Sequence, residues 1–143
     1  MSIPESSIEK LHDDHAYLHA LIERMRSCCT PGAARTDCRS CQPAKQRLCR
    51  SNVEQLIRTF IQTTLKHHLL ESLLMENHVP EPHRQAHNAA HLVLAERLDQ
   101  IRAVLADDGE TVLAIDGLEQ FESDLMAHET GFDGPMLQYL QRA

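Results

Sequence analysis

Lys66-His67-His68-Leu69-Leu70-Glu71 and, a short connection later, His87-Asn88-Ala89-Ala90-His91 decide how this chain folds. His67 and Glu71, like His87 and His91, stand four residues apart, the separation at which two side chains lie one above the other on a helix face. One pair offers an imidazole and a carboxylate, the other two imidazoles. Such donors converge only if two neighbouring helices turn them inward. The pattern therefore predicts a metal site inside a helical bundle.

The rest of the chain supplies the bundle. Pro4 and Glu5 suit a first helical turn. From there Ile8, Leu11, His15, Leu18, Ile22 and Met25 alternate spacings of three and four, the seam of a bundle helix. Ser51-Asn52-Val53-Glu54 reads as the start of a second helix, with Ser51 its N-cap and Glu54 the capping-box partner. Leu56, Phe60, Thr64, His67, Glu71, Leu74 and His78 continue it. Val79-Pro80-Glu81-Pro82 makes a short, stiff connection.

The third helix carries His87, His91, Leu94, Leu98, Ile101 and Leu105 up to a turn at Asp107-Asp108-Gly109. A fourth runs from about Glu110 with Leu118, Phe121, Leu125 and His128 on its seam. Gly131 and Gly134-Pro135 loosen or end it before a last turn or two from Met136 to Arg142. Strand-like runs and repeats are missing. Four helices with short links, except the first link, predict an all-α, up-down-up-down antiparallel four-helix bundle.

In that topology the start of the first helix, the end of the second, the start of the third and the end of the fourth share one pole. His15, His67, Glu71, His87, His91 and His128 all fall toward it, each on a seam. Asp133 is the seventh candidate, although five residues from His128 put it about 140° away around a regular helix. Gly131 between them is the residue type that lets a helix tighten or bulge and swing the carboxylate inward. Five imidazoles and two carboxylates exceed the needs of one ion. With both carboxylates bridging, and one oxo or hydroxo bridge added, they fill all but one position of two six-coordinate ions. An open position on a buried metal is where a small molecule binds.

His15, the pair His67-Glu71, the pair His87-His91, and His128 with Asp133 together resemble the hemerythrin (HHE-domain) pattern H…HxxxE…HxxxH…HxxxxD. Met75 followed by Val79-Pro80 is also similar to that family's connection between its second and third helices. The resemblance implies two oxo- or hydroxo-bridged iron ions. One would take His87, His91 and His128; the other would take His15 and His67 and keep the vacant position. Glu71 and Asp133 would bridge them, and the family reversibly binds dioxygen there. Family members usually place an aromatic residue after the second-helix histidine, whereas here His68 follows His67. A more polar pocket favours autoxidation over stable dioxygen carriage.

Composition bounds the alternatives. The 143 residues predict a single domain spanning 1–143 with a full core. A net charge of −7 speaks against nucleic acid or an anionic membrane as partner. The N-terminal residues lack the basic and apolar blocks of a signal peptide, and no apolar run approaches a membrane span, so a cytoplasmic location is expected. Of the ten histidines, His12, His19, His68, His78 and His83 read as surface residues or as partners of the ligands, with His12 the alternative to His15.

All five cysteines, Cys28, Cys29, Cys38, Cys41 and Cys49, lie in a segment of about 28–50 that reads as a loop or small insert. Cys38-Arg39-Ser40-Cys41 is one CxxC, and an odd total argues against an extracellular disulfide framework. A zinc site, a redox disulfide and unliganded thiols all stay open. His15 to Ser27 spans about 18 Å of helix, so these cysteines should not reach the histidine cluster. The expectation is thus a di-iron protein binding dioxygen or a related small ligand for storage, delivery or sensing. Alternatives are a di-iron enzyme acting on peroxide, nitric oxide or dioxygen, and a regulator that uses the cysteine insert.

Overall fold

The computed structural model describes residues 3–28, 42–108 and 111–142. Four long helices dominate it: α1 (Glu5–Cys28), α2 (Pro43–Met75), α3 (Glu81–Ala103) and α4 (Thr111–His128). A turn of π-helix extends α3 over Val104–Asp108, and a second, Glu129–Asp133, joins α4 to a short α5 (Gly134–Arg142). Among the described residues there is no strand. No helix among the described residues is long and apolar enough to cross a membrane. The helices run up, down, up and down, each of α1 and α3 packing against both α2 and α4.

The helix starts follow from local chemistry, with one correction to the sequence reading. α3 begins after Pro80, with Pro82 in its first turn, where a missing N–H costs nothing. Pro43 does the same for α2, behind the extended Gln42. α2 therefore starts eight residues before Ser51, which lies inside the helix and is no N-cap. The loop assigned to about 28–50 is shorter than expected. Cys28 ends α1 and Cys49 is already on α2, whereas Cys29, Cys38 and Cys41 lie outside the described residues. Pro43 had the look of a breaker, but a proline at the first helical position starts a helix as readily as it stops one.

Packing places the clustered histidines and carboxylates between two apolar layers. The larger layer unites Leu18, Ile22, Phe60, Leu98, Leu118 and Phe121 with their neighbours on all four helices. Phe60 and Phe121 meet edge to face at its centre, 5.6 Å apart. The smaller layer holds Leu11, Met75, Val79, Met136 and Leu140. Each fully buried large side chain contributes about 1.5–3 kcal/mol, so both layers hold the helices in register. Along α1 the order is Leu11, His15, Leu18; along α2 it is Phe60, His67, Glu71, Met75. Between the layers lies a polar stratum.

Candidate metal centre

Five elements contribute to that stratum. α1 supplies His15, α2 His67 and Glu71, α3 His87 and His91, α4 His128, and the second π turn Asp133. On α2 and α3 the i,i+4 spacing stacks each pair on the inward face. Between His128 and Asp133 an ordinary helix would fail. Here the backbone closes i→i+5, with the Gly134 N–H bonded to Glu129 O, and the added residue rotates Asp133 under His128. Gly131 is not required for this. A Cβ there would meet nothing within 4 Å, and the residue does not adopt a left-handed conformation.

The donor atoms form two overlapping groups. Glu71, His87, His91, His128 and Asp133 make one; His15, His67, Glu71 and Asp133 make the other; in each, the ligand atoms lie within 4.8 Å of one another. Both carboxylates belong to both groups. Asp133 Oδ1 lies 2.9 Å from His87 Nε2 and 3.1 Å from His128 Nε2, and Oδ2 lies 3.0 Å from His15 Nε2. Glu71 Oε1 lies 3.0 Å from His91 Nε2, and Oε2 lies 3.4 Å from His67 Nε2. His12, the alternative to His15, points into solvent.

The charges suit a cation. Burial alone would raise Asp133, but the imidazoles of His128, His15 and His87 crowded around it hold it well below the usual carboxylate range. Glu71 is likewise held low: burial and the charge of Asp133 oppose ionisation, and His67 and His91 outweigh them. Both are anions at neutral pH. Glu71 is fully buried, yet neither of its oxygens takes a directed hydrogen bond, and the same holds for His91 Nε2 and His128 Nε2. Unsatisfied buried carboxylate oxygens are costly. Proximity without hydrogen-bond direction is what donor atoms aimed at a shared cation display. The residues present fit a metal.

Neighbours fix the imidazoles. His67 Nδ1 donates to Asp14 Oδ2 at 2.9 Å, which leaves Nε2 facing the carboxylates. Burial would lower His67, but Glu71 and Asp14 raise it to about 8. His87 Nδ1 sits 3.0 Å from His83 Nε2, a half-buried ring between Phe132 and Tyr139. Asp14 was not foreseen. Its signal was its place three residues after Leu11 and four before Leu18, a buried seam position.

A family comparison bears on this cluster. The model of the hemerythrin HHE cation-binding domain matches residues 6–140. The chain belongs to the hemerythrin family. Comparison with curated proteins and with solved structures gave no match. Membership makes this a metal-binding domain, and the match runs through all five elements that carry the clustered histidines and carboxylates. Within this hemerythrin-family fold, His68 is the residue whose place differs most from a surface reading. It is 7% exposed, stacks flat on His91 with centroids 3.8 Å apart, and makes no side-chain hydrogen bond among the described residues. Burial, then the nearby His91, His67 and His128, pushes its pKa down to about 2, so the ring is neutral. Cys28 and Cys49 contribute to neither donor group.

Proposed function

We propose that this hemerythrin-family protein holds two iron ions in its polar stratum and binds dioxygen, or a related small ligand, at the one coordination position its side chains leave open. One observation carries the reading: Glu71 and Asp133 are each shared by two donor groups of unequal size, one with three imidazoles and one with two. Carboxylates shared in this way would bridge two ions, and the smaller group would be the one with room. His87, His91 and His128 would hold one ion, His15 and His67 the other. Bound iron would supply reversible one-electron oxidation next to that open position.

The chain's own residues prepare the place. Asp14 accepts the Nδ1 proton of His67 and so orients Nε2 inward, a role that sustains ligand basicity. Leu125 and Phe121 on one side and Met75 and Met136 on the other keep bulk water out. A second reading, turnover of peroxide or nitric oxide, draws on His68, a buried neutral imidazole with hydrogen-bonding capacity to spare beside His91.

Metal analysis and a spectrum in air test both. Two irons per chain and a spectrum bleached reversibly by deoxygenation support the carrier. Rapid decay in air, with turnover of peroxide or nitric oxide, supports the enzyme. Fewer than two irons, with His87→Ala leaving the content unchanged, would refute the centre itself.

A further inference from the structure

The packing of the bundle leaves one apolar stripe of α2 uncovered. Leu65, Leu69 and Leu73 stand four residues apart on that helix and are 48%, 61% and 58% exposed. Leu92 on α3 is 68% exposed, and with Leu65 and Leu69 it lines a groove of about 320 Å³ whose floor includes His68 and His91. Tyr17, Leu113 and Met126, also exposed, lie on α1 and α4. Single exposed leucines are ordinary, but a contiguous leucine patch with a polar edge marks an interaction surface.

The order of residues along the stripe says what fits it. Arg58, Ile61, Leu65, Leu69, Leu73 and Glu76 follow one another at spacings of three, four, four, four and three, which read the same from either end. Arg58 and Glu76 are five full turns apart, so they share one side of the helix at a distance of about 27 Å. Both are exposed, and neither charge is paired within the chain among the described residues. Opposite charges at the ends and apolar residues between them make the stripe its own complement. Turned end for end about a two-fold axis level with His67, a second α2 brings its Glu76 level with Arg58. The same turn brings Leu73 level with Ile61 and Leu69 level with Leu65.

α3 extends the match. Ser72 Oγ donates to Asn88 Oδ1 at 2.8 Å, and Leu65 shares the groove with Ala95, which together set Leu92 level with His68. Leu92 therefore lies beside the axis, where it would meet its own copy. Two packed helices present a face about 20 Å wide, and over about 27 Å of length that is about 500 Å² per copy. The sum, about 1,000 Å², reaches what a specific interface needs and suits a reversible one. We infer that two copies of this chain pair through the α2–α3 face as an antiparallel, two-fold dimer. Leu65, Leu69 and Leu92 form its centre, and Arg58 of one copy meets the partner's Glu76 at each end.

The test is sedimentation of the iron-loaded full chain over a concentration series. The expected species is a dimer, twice the 16.2 kDa mass of the chain, that dissociates on dilution. Leu69→Glu sets two like charges beside the axis and should leave a monomer at every concentration. Circular dichroism and iron content should stay unchanged in that variant, because the native side chain is 61% exposed. Arg58→Glu alone, or Glu76→Arg alone, sets like charges level at both ends and should weaken pairing about tenfold. The double variant Arg58→Glu/Glu76→Arg restores opposite charges and should recover native pairing. A chain that stays monomeric throughout, its leucine face then left for a different protein or an apolar ligand, overturns the inference. So does a dimer that survives Leu69→Glu. A double variant that fails to recover what both single variants lose overturns the antiparallel register.

Discussion

Replacing His19 by phenylalanine should loosen the seam between α1 and α4, and only while the native ring is charged. His19 Nδ1 lies 3.0 Å from Glu122 Oε2 and Nε2 lies 2.8 Å from Glu129 Oε1. An ionised carboxylate only accepts, so both ring nitrogens must donate and the ring is an imidazolium. Burial opposes that charge, but the two carboxylates outweigh it and raise the His19 pKa above its ordinary value. Arg26 shares Glu122 through a 3.1 Å bond and also binds Glu119, so Glu122 stays an anion throughout. The His19 ring is 30% exposed and each carboxylate 22%. That places the bonds between exposed pairs and fully desolvated ones, and the two together stabilise by about 1–2 kcal/mol.

His19→Phe keeps a ring of similar shape and removes both bonds. Urea unfolding at fixed iron content should show the loss in full at about pH 5.5, accompanied by a fall of roughly 3–8 °C in Tm. The folded pKa is raised, so the contribution is complete below the unfolded value of about 6.5 and disappears as pH rises through the folded value. The gap between wild type and variant should therefore be widest in acid and narrow toward alkaline pH. A gap of constant size, or one that widens with pH, would refute the imidazolium.

Three other outcomes follow from the same structure. Asp14→Asn should weaken metal binding about 10–100-fold in chelator competition, because His67 loses the carboxylate that orients and enriches it; unchanged affinity would contradict that role. Phe121→Ala should cost about 3–5 kcal/mol in urea, since Phe121 is fully buried against Phe60 at the centre of the main core. Gly131→Ala should stabilise the protein by about 0.4–1 kcal/mol with iron content unchanged, because the site has room for a Cβ and an unstrained backbone. A loss of iron in that variant would show that the π turn does need glycine.

The bundle was legible because helix periodicity and burial agree closely on α3, where His87, His91, Leu94, Leu98, Ile101 and Leu105 are all buried. Legibility failed at the start of α2. Lys45, Gln46 and Arg47 carry no apolar face that would mark a helix, and Leu48 is 63% exposed. The Ser51-x-x-Glu54 pattern therefore looked like the earlier boundary. The convergence of six of the seven polar residues could be read from i,i+4 pairs and a common pole, both properties of regular helix, and Asp133 joins them only through the π turn. Asp14 and the burial of His68 were harder to read, because each adjoins a seam histidine and local spacing cannot say that two adjacent residues both turn inward. Tertiary packing makes that choice.

The π turn between α4 and α5 works as a phase shift in the chain. Before it the inward residues count Leu118, Phe121, Leu125, His128; after it they count Asp133, Met136, Leu140, in the same rhythm but one residue late. A single deletion within Glu129–Phe132 would restore a continuous helix and cancel the offset. Asp133 would then stand four residues after His128 and keep its inward place, whereas closing the turn as regular helix without a deletion would swing Asp133 out of the polar stratum together with Met136 and Leu140 out of the smaller apolar layer. The carboxylate and the closing core of the bundle are set by one shared count, so neither can drift in sequence without the other.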